Sequence, residues 1–284
     1  KHMKQPYLSD QDKSDILFGV ENDVDFIACS FVSVEQDLID VHEFLKGYDR
    51  DKDVELIAKI ENQSGADNIE SIARQCDGIM VARGDLGVEI PFEEVPLVQK
   101  MLIQKCISKG KPVITATQML NSMIHNPRPT RAEVNDVASA IFDYTDAIML
   151  SGETANGDYP VEAVTAMDRI AREIEKNIDY SDRFSKSDSK SNTVRNITLA
   201  MSHSACTTAH DLNAGIISTI TLTGRSVKDV AKYRPATPIL ACSPIDRTLR
   251  QMNLIWGCRP MFVEMEKRNI NTLFDEVAAK SLEQ

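Results

Sequence analysis

Short apolar runs alternate with helix-period stripes along the first part of this chain, and that alternation leaves few folds open. The runs are Val24–Phe31, Val54–Ile60, Gly78–Val81, Pro112–Ala116 and Ala147–Leu150. Each is short, rich in Val or Ile and lacks strict alternation, as expected of strands buried on both faces of a parallel sheet. Between them the period changes to 3.6. Val34, Leu38, Val41 and Leu45 form one stripe, and Ile69, Ile72 and Ala73 a shorter one. Val95, Val98, Leu102 and Cys106 form a third, Val134, Val137, Ala138 and Ile141 a fourth, and Val164, Met167, Ala171 and Ile174 a fifth. Strand–helix alternation predicts right-handed βαβ units. The fold class expected is α/β: a partial parallel (β/α) TIM-type barrel followed by a smaller α/β three-layer domain. A full eight-fold barrel takes roughly 250 residues, so five strands leave three to be supplied, or an open sheet.

The organisation expected is a cloning remnant at 1–3, a barrel portion at 4–178, a linker at 179–193 and a second domain at 194–284. The linker has no periodicity and is rich in Ser, Lys and Asp. The second domain reads as a helix over Val194–Asp211, a strand over Ile216–Ile220 and a helix over Ser226–Tyr233. A strand over Ile239–Cys242, a helix over Thr248–Ile255, a strand over Met261–Val263 and a closing helix over Asn271–Leu282 follow.

With a formal net charge of -11 and no basic block, the chain lacks the stripe of a nucleic-acid or membrane-surface binder. No apolar run is long enough to cross a bilayer, so a soluble, cytoplasmic protein is expected. None of the six cysteines lies within three residues of another, which removes CxxC metal and redox pairs and fits buried free thiols.

Three strand ends carry groups that phosphoryl chemistry uses: Lys59-Ile60-Glu61, Ala82-Arg83-Gly84-Asp85 and Thr115-Ala116-Thr117. In parallel barrels, sites form at the C-terminal ends of the strands. Ile57, Lys59 and Glu61 share one face of their strand, with Ala58 and Ile60 opposite. Lys59 and Glu61 read either as a buried ion pair or, with Asp85, as part of a site where two carboxylates meet one hard cation. Mg²⁺ takes such a set with substrate oxygens and water, whereas zinc would call for His or Cys.

Arg83-Gly84-Asp85-Leu86-Gly87 reads as a plain βα turn or as a loop offering backbone N–H groups to an anion. Thr117 reads as a substrate-binding or proton-passing hydroxyl or as a helix cap, and Ser151-Gly152-Glu153-Thr154 shares the ambiguity. Asn126-Pro127-Arg128-Pro129-Thr130-Arg131 is a stiff loop feeding a helix. His203 and His210 read as packing or surface residues.

These segments resemble the pyruvate kinase family. The similarity rests on Ile57-Ala58-Lys59-Ile60-Glu61-Asn62, the stretch from Gly78 to Glu89, and Thr115-Ala116-Thr117-Gln118-Met119-Leu120. Pro127-Arg128-Pro129-Thr130-Arg131-Ala132-Glu133 and Met149-Leu150-Ser151-Gly152-Glu153-Thr154-Ala155 continue it in order. Lys232-Tyr233-Arg234-Pro235 and Asn253-Leu254-Ile255-Trp256-Gly257 are similar to the family's C-terminal domain.

The resemblance implies transfer of a phosphoryl group from phosphoenolpyruvate to ADP, giving pyruvate and ATP. It implies Mg²⁺ or Mn²⁺ on Glu61 and Asp85, with Lys59 neutralising the moving phosphoryl and enolate oxygens. The backbone of Gly84 and Asp85 takes the substrate carboxylate, and Thr117 lies against substrate and relays a proton. It further implies K⁺ in the complete enzyme and a homotetramer.

Thr221-Leu222-Thr223-Gly224-Arg225-Ser226 aligns with a sugar-phosphate effector loop, so Thr221, Thr223, Gly224, Arg225 and Ser226 are candidate phosphate contacts. Leu222 stands where fructose-bisphosphate-responsive members can carry a basic residue. The family's first three barrel strands, its lid domain and its last C-terminal strands have no counterpart here. The expectation is therefore a fragment with weak or no turnover by itself. Two other readings compete: a non-catalytic unit that folds, associates or binds metal or sugar phosphate, and an Mg²⁺-dependent enolpyruvate lyase.

Overall fold

The computed structural model describes residues 6–50, 54–180, 197–264 and 270–282. The chain divides into two compact units, Lys1–Lys176 and Asn177–Gln284.

The first unit opens with α1 (Asp10–Glu21), capped by Ser9, whose hydroxyl accepts from the Asp12 N–H. Then come β1 (Phe26–Cys29), α2 (Glu35–Lys46), β2 (Glu55–Ile60), α3 (Gln63–Asp67) and α4 (Ile69–Gln75). β3 (Gly78–Ala82), α5 (Arg83–Glu89), α6 (Val95–Ser108) and β4 (Val113–Ala116) follow. A 3₁₀ turn at Asn121–Ile124, α7 (Arg131–Phe142), β5 (Ala147–Met149), α8 (Gly152–Ala155) and α9 (Pro160–Glu175) complete it.

The five strands form one parallel sheet in the order β1-β2-β3-β4-β5. Its two faces are unequal. Leu56, Ala58, Ile60, Ile79, Val81 and Val113 pack under the helices with Leu38, Val41, Ile72 and Leu102. Ile57, Met80 and Ala116 form a small cluster with Phe26, Ile114 and Met149. Lys59 shares Ile57's face of β2, so it projects from the small-cluster side as the period of two requires. Of these five strands only β3 is buried throughout; β1 and β5, at the edges, are partly exposed.

Every strand but β3 is shorter than its apolar run, because residues flanking a strand also pack. Phe31 ends the first run, yet its φ of 54° turns the chain out of the sheet. The fifth helical stripe keeps Met167, Ala171 and Ile174 but misplaces its first member. Ala163 and Met167 are buried while Val164 is 53% exposed. α9 packs on α7, and neighbouring apolar positions 163 and 164 are hard to tell apart by period.

In the second unit β6 (Ile217–Ile220), β7 (Ile239–Ser243) and β8 (Cys258–Phe262) form a parallel sheet in that order. Helices Ile197–Asp211, Arg225–Ala231, Asp246–Gln251 and Ile270–Ser281 accompany them. β8 begins three residues before the expected Met261, with Pro260 paired to Ala241. An edge strand tolerates a proline that a central strand would not, so Arg259-Pro260 conceals strand character. The expected helix Thr248–Ile255 is an α-helix to Gln251 and a 3₁₀ turn over Met252–Leu254. Positions 181–193 of the expected linker, and 194–196 of the helix after it, lie outside the described residues.

Candidate active site

β2 carries Lys59 and delivers Glu61 just past its end. Glu61 is 1% exposed, and both its oxygens are engaged. Oε1 meets Lys59 Nζ at 2.8 Å, and Oε2 accepts from the Phe31 N–H at 2.6 Å. Lys59 Nζ also donates to Ser30 Oγ at 2.8 Å. The ammonium is thus fixed between a carboxylate on its own strand and a hydroxyl from the end of β1. Ser30 is itself anchored, because the Tyr7 O–H donates to its carbonyl at 2.7 Å. Burial pushes the Tyr7 phenol far above its ordinary value, so it stays a donor at any working pH. Sequence reasoning did not single out Ser30 or Tyr7; neither belongs to a pattern of spacing.

The next two strand ends come together directly. The Gly84 N–H donates to Thr117 Oγ1 at 2.7 Å, and the Thr117 O–H donates to the Ala116 carbonyl at 2.6 Å. Thr117 caps no helix: the following 3₁₀ turn starts at Asn121 with Leu120 as its cap. Thr117 and Gln118 have φ of 70° and 55°, two consecutive non-glycine residues in the left-handed region. Such backbones cost on the order of 1–3 kcal/mol each and collect at functional sites. Asp85 lies in the first turn of α5, exposed, with no hydrogen bond or ion pair among the described residues.

Two carboxylates hold the segment beyond Thr117. Buried Glu153 accepts from the Leu120 N–H at 3.0 Å and the Ser151 N–H at 2.8 Å. Glu133 accepts from the Ser122 N–H and hydroxyl, each at 2.6 Å, and from Thr130. Thr130 and Glu133 form a capping box that starts α7, the role of the stiff proline loop. Ser151 makes no side-chain cap, and its buried hydroxyl has no hydrogen-bond partner among the described residues.

Among the described residues no cluster of three or more His, Cys, Asp or Glu is placed to hold a metal ion. The two carboxylates expected at a cation site are Glu61, which is buried, and Asp85, which is exposed. Each Glu61 oxygen accepts a single hydrogen bond and Asp85 none, so lone pairs remain for a hard cation that also takes substrate oxygens and water. By donor chemistry, two carboxylates suit a hard cation such as Mg²⁺ or Mn²⁺ rather than zinc.

In the second unit, Thr221 Oγ1 accepts from the N–H groups of Thr223 (3.3 Å) and Gly224 (3.0 Å). The loop closes on itself, with Gly224 at φ 74° and the Thr248 hydroxyl on the Leu222 carbonyl. Thr223 and Arg225 are exposed, and Ser226 is half-buried. His203 packs edge-on against Tyr233 with ring centroids 5.2 Å apart, and His210 is exposed.

Residues 1–164 match the family described as pyruvate kinase, barrel domain, and residues 199–284 match pyruvate kinase, alpha/beta domain. The pyruvate kinase of Geobacillus stearothermophilus is 52% identical over 252 residues, covering 89% of this chain and 42% of that protein. That of Clostridium acetobutylicum is 49% identical over 256 residues, covering 90% and 54%. A pyruvate kinase crystal structure from Cryptosporidium parvum superposes with a TM-score of 0.94 at 39% identity, covering 99% of this chain and 58% of that one. The chain spans about half the length of the curated relatives it matches.

Proposed function

This chain belongs to the pyruvate kinase family, and from that membership we propose that it carries the phosphoryl-transfer site of an enzyme converting phosphoenolpyruvate and ADP to pyruvate and ATP. The observation that carries the reading is the pairing at adjacent strand ends of Lys59 with Glu61 and of Gly84 with Thr117. Phosphoryl transfer asks mainly for positioning and for charge set where charge develops.

Lys59, held by Glu61 and Ser30, supplies the cation beside the moving phosphoryl group and the enolate oxygen it leaves. Glu61 and Asp85 would hold Mg²⁺ or Mn²⁺, which when bound supplies Lewis-acid charge for the substrate and phosphoryl oxygens. The backbone N–H groups at Gly84 and Asp85, at the start of α5, face the substrate carboxylate. For this the Gly84 N–H exchanges the Thr117 hydroxyl for substrate. Thr117, released, turns its hydroxyl to the enolate. It gives its proton to the enolate carbon and regains one from water, so that pyruvate leaves as the ketone.

K⁺, a homotetramer, a cytoplasmic location and a sugar-phosphate effector at Thr221, Thr223, Gly224, Arg225 and Ser226 belong to the same proposal. Among the described residues no helix is long and apolar enough to cross a membrane.

The test is pyruvate formation from phosphoenolpyruvate in the intact protein, with and without ADP, against its Lys59→Ala variant. The expected result is ADP-dependent turnover that falls by about 10²-fold or more in the variant. ADP-independent release of pyruvate would point to a lyase, and equal rates in both proteins would remove Lys59 from the chemistry.

A further inference from the structure

Thr117 and Gln118 hold left-handed backbones side by side, and Thr is β-branched, the type least suited to that region. A conformation of this kind persists only where its surroundings over-determine it. The surroundings here are dominated by one guanidinium. Arg83 is 9% exposed. Its Nε donates to the carbonyls of Ala116 (3.3 Å) and Thr117 (3.2 Å). Its Nη2 donates to the Thr117 carbonyl (2.7 Å) and reaches Met119 Sδ (2.8 Å). Nη1 pairs with Asp136 Oδ1 on α7 at 2.6 Å and lies 3.4 Å from Gln99 Oε1.

We propose that Arg83 is a positioning residue, whose planar fork spans residues 116–119 and fixes the left-handed turn that presents the Thr117 hydroxyl. The inference rests on the kinase reading only for what that hydroxyl does. Arg83 precedes Gly84, whose N–H bonds Thr117 Oγ1. The start of α5 therefore fixes Thr117 twice, by its carbonyl through Arg83 and by its side chain through Gly84. Asp136 balances the buried charge from the far side. A lysine would keep that charge, but as a point donor it cannot bridge two carbonyls and a carboxylate in one plane.

The test uses Arg83→Lys and Arg83→Gln in the intact protein, so that the assignment survives if one of them folds poorly. Amide hydrogen exchange at Gly84 is read by NMR and needs no turnover. It is expected to quicken at least ten-fold, while the sheet amides of Ile57, Ile79 and Val113 keep their rates. An unchanged Gly84 amide, or an equal rise throughout the first unit, would overturn the assignment by reducing Arg83 to a stability role.

The kinetic arm is a double-mutant cycle with Thr117→Ala. Arg83→Lys is expected to lower kcat ten-fold or more in the parent, but less than three-fold once the hydroxyl is gone. Equal costs in both backgrounds would also overturn it. The Lys59→Ala comparison judges the kinase reading separately: if it fails while Gly84 exchange responds, the chemistry is wrong and the positioning stands.

Discussion

The Lys59–Glu61 pair predicts an asymmetry that few ion pairs would show. The two side chains are 24% and 1% exposed. Lys59→Met removes the ammonium and leaves a carboxylate sealed from water, with the Phe31 N–H as its remaining partner. Breaking a buried pair in this way costs about 3–5 kcal/mol, and the partial exposure of Lys59 places the expectation near the lower end, about 3 kcal/mol. Glu61→Gln leaves a cation that still has Ser30 Oγ and can turn toward solvent. Its cost is that of one charge-assisted hydrogen bond, about 1.5 kcal/mol. With both charges gone the double variant should cost about as much as Glu61→Gln alone, a coupling of about 3 kcal/mol.

Urea unfolding checks this, with one precaution. The chain has two compact units, so a single transition cannot be assumed. The single tryptophan, Trp256, lies in the second unit, and its fluorescence serves as an internal control. Far-UV circular dichroism follows both units, and the part of its change that Trp256 does not share is assigned to the first. Equal losses in the two single variants, or losses that simply add, would refute the argument that burial on the Glu61 side sets the energy.

Gly65→Ala should destabilise the first unit by about 2–3 kcal/mol, because a Cβ there would lie 2.5 Å from the Val32 carbonyl, next to the Phe31 amide that holds Glu61; a melting temperature at or above that of the parent would refute it. Burial pushes the Cys29, Cys76, Cys206 and Cys258 thiols up to about 12 and Cys242 to about 11. These thiols should resist alkylation at pH 8 in the folded protein, and mass spectrometry finding any of them modified ahead of unfolding would count against the packing. Unfolded thiols ionise near 9 and the folded ones do not, so the stability they contribute is intact below pH 9 and is lost as pH rises toward 12, readable as a falling urea midpoint. Burial pushes the Glu133 carboxyl up, but the bonds from Ser122 and Thr130 outweigh it and hold the carboxyl below its ordinary range. Its contribution is therefore present above the usual carboxylate range and lost as pH falls below it, and Glu133→Gln should flatten that acid limb of the stability curve; an unaltered limb would refute the assignment.

The five strands and their order were legible because a parallel sheet writes each strand as one apolar run and each crossover as one stripe. Ends were less legible, for reasons visible at single residues. Phe31 is apolar but turns away at positive φ. Pro260 is a poor strand residue that an edge tolerates. Val164 and Ala163 differ by one step of a helix, and only packing on α7 decides between them. Within the candidate site, the pairing of Lys59 with Glu61 was legible because a period of two puts them on one face.

What holds those residues follows from no period at all. Ser30, Tyr7, Arg83, Glu133 and Glu153 reach across 11 to 34 positions of sequence by side-chain hydrogen bonds. Left-handed backbone at Thr117 and Gln118 has no signature in residue types that ordinarily avoid it. A strained turn must be held by neighbours, so charged side chains that are buried or half-buried are where its supports should be sought. Arg83, Glu153 and Glu133 each bond the stretch from Ala116 to Ser122, and each comes from a different helix: α5, α8 and α7. The strand ends set which groups meet at this site, and the helix starts that follow them set the angle at which Thr117 is offered.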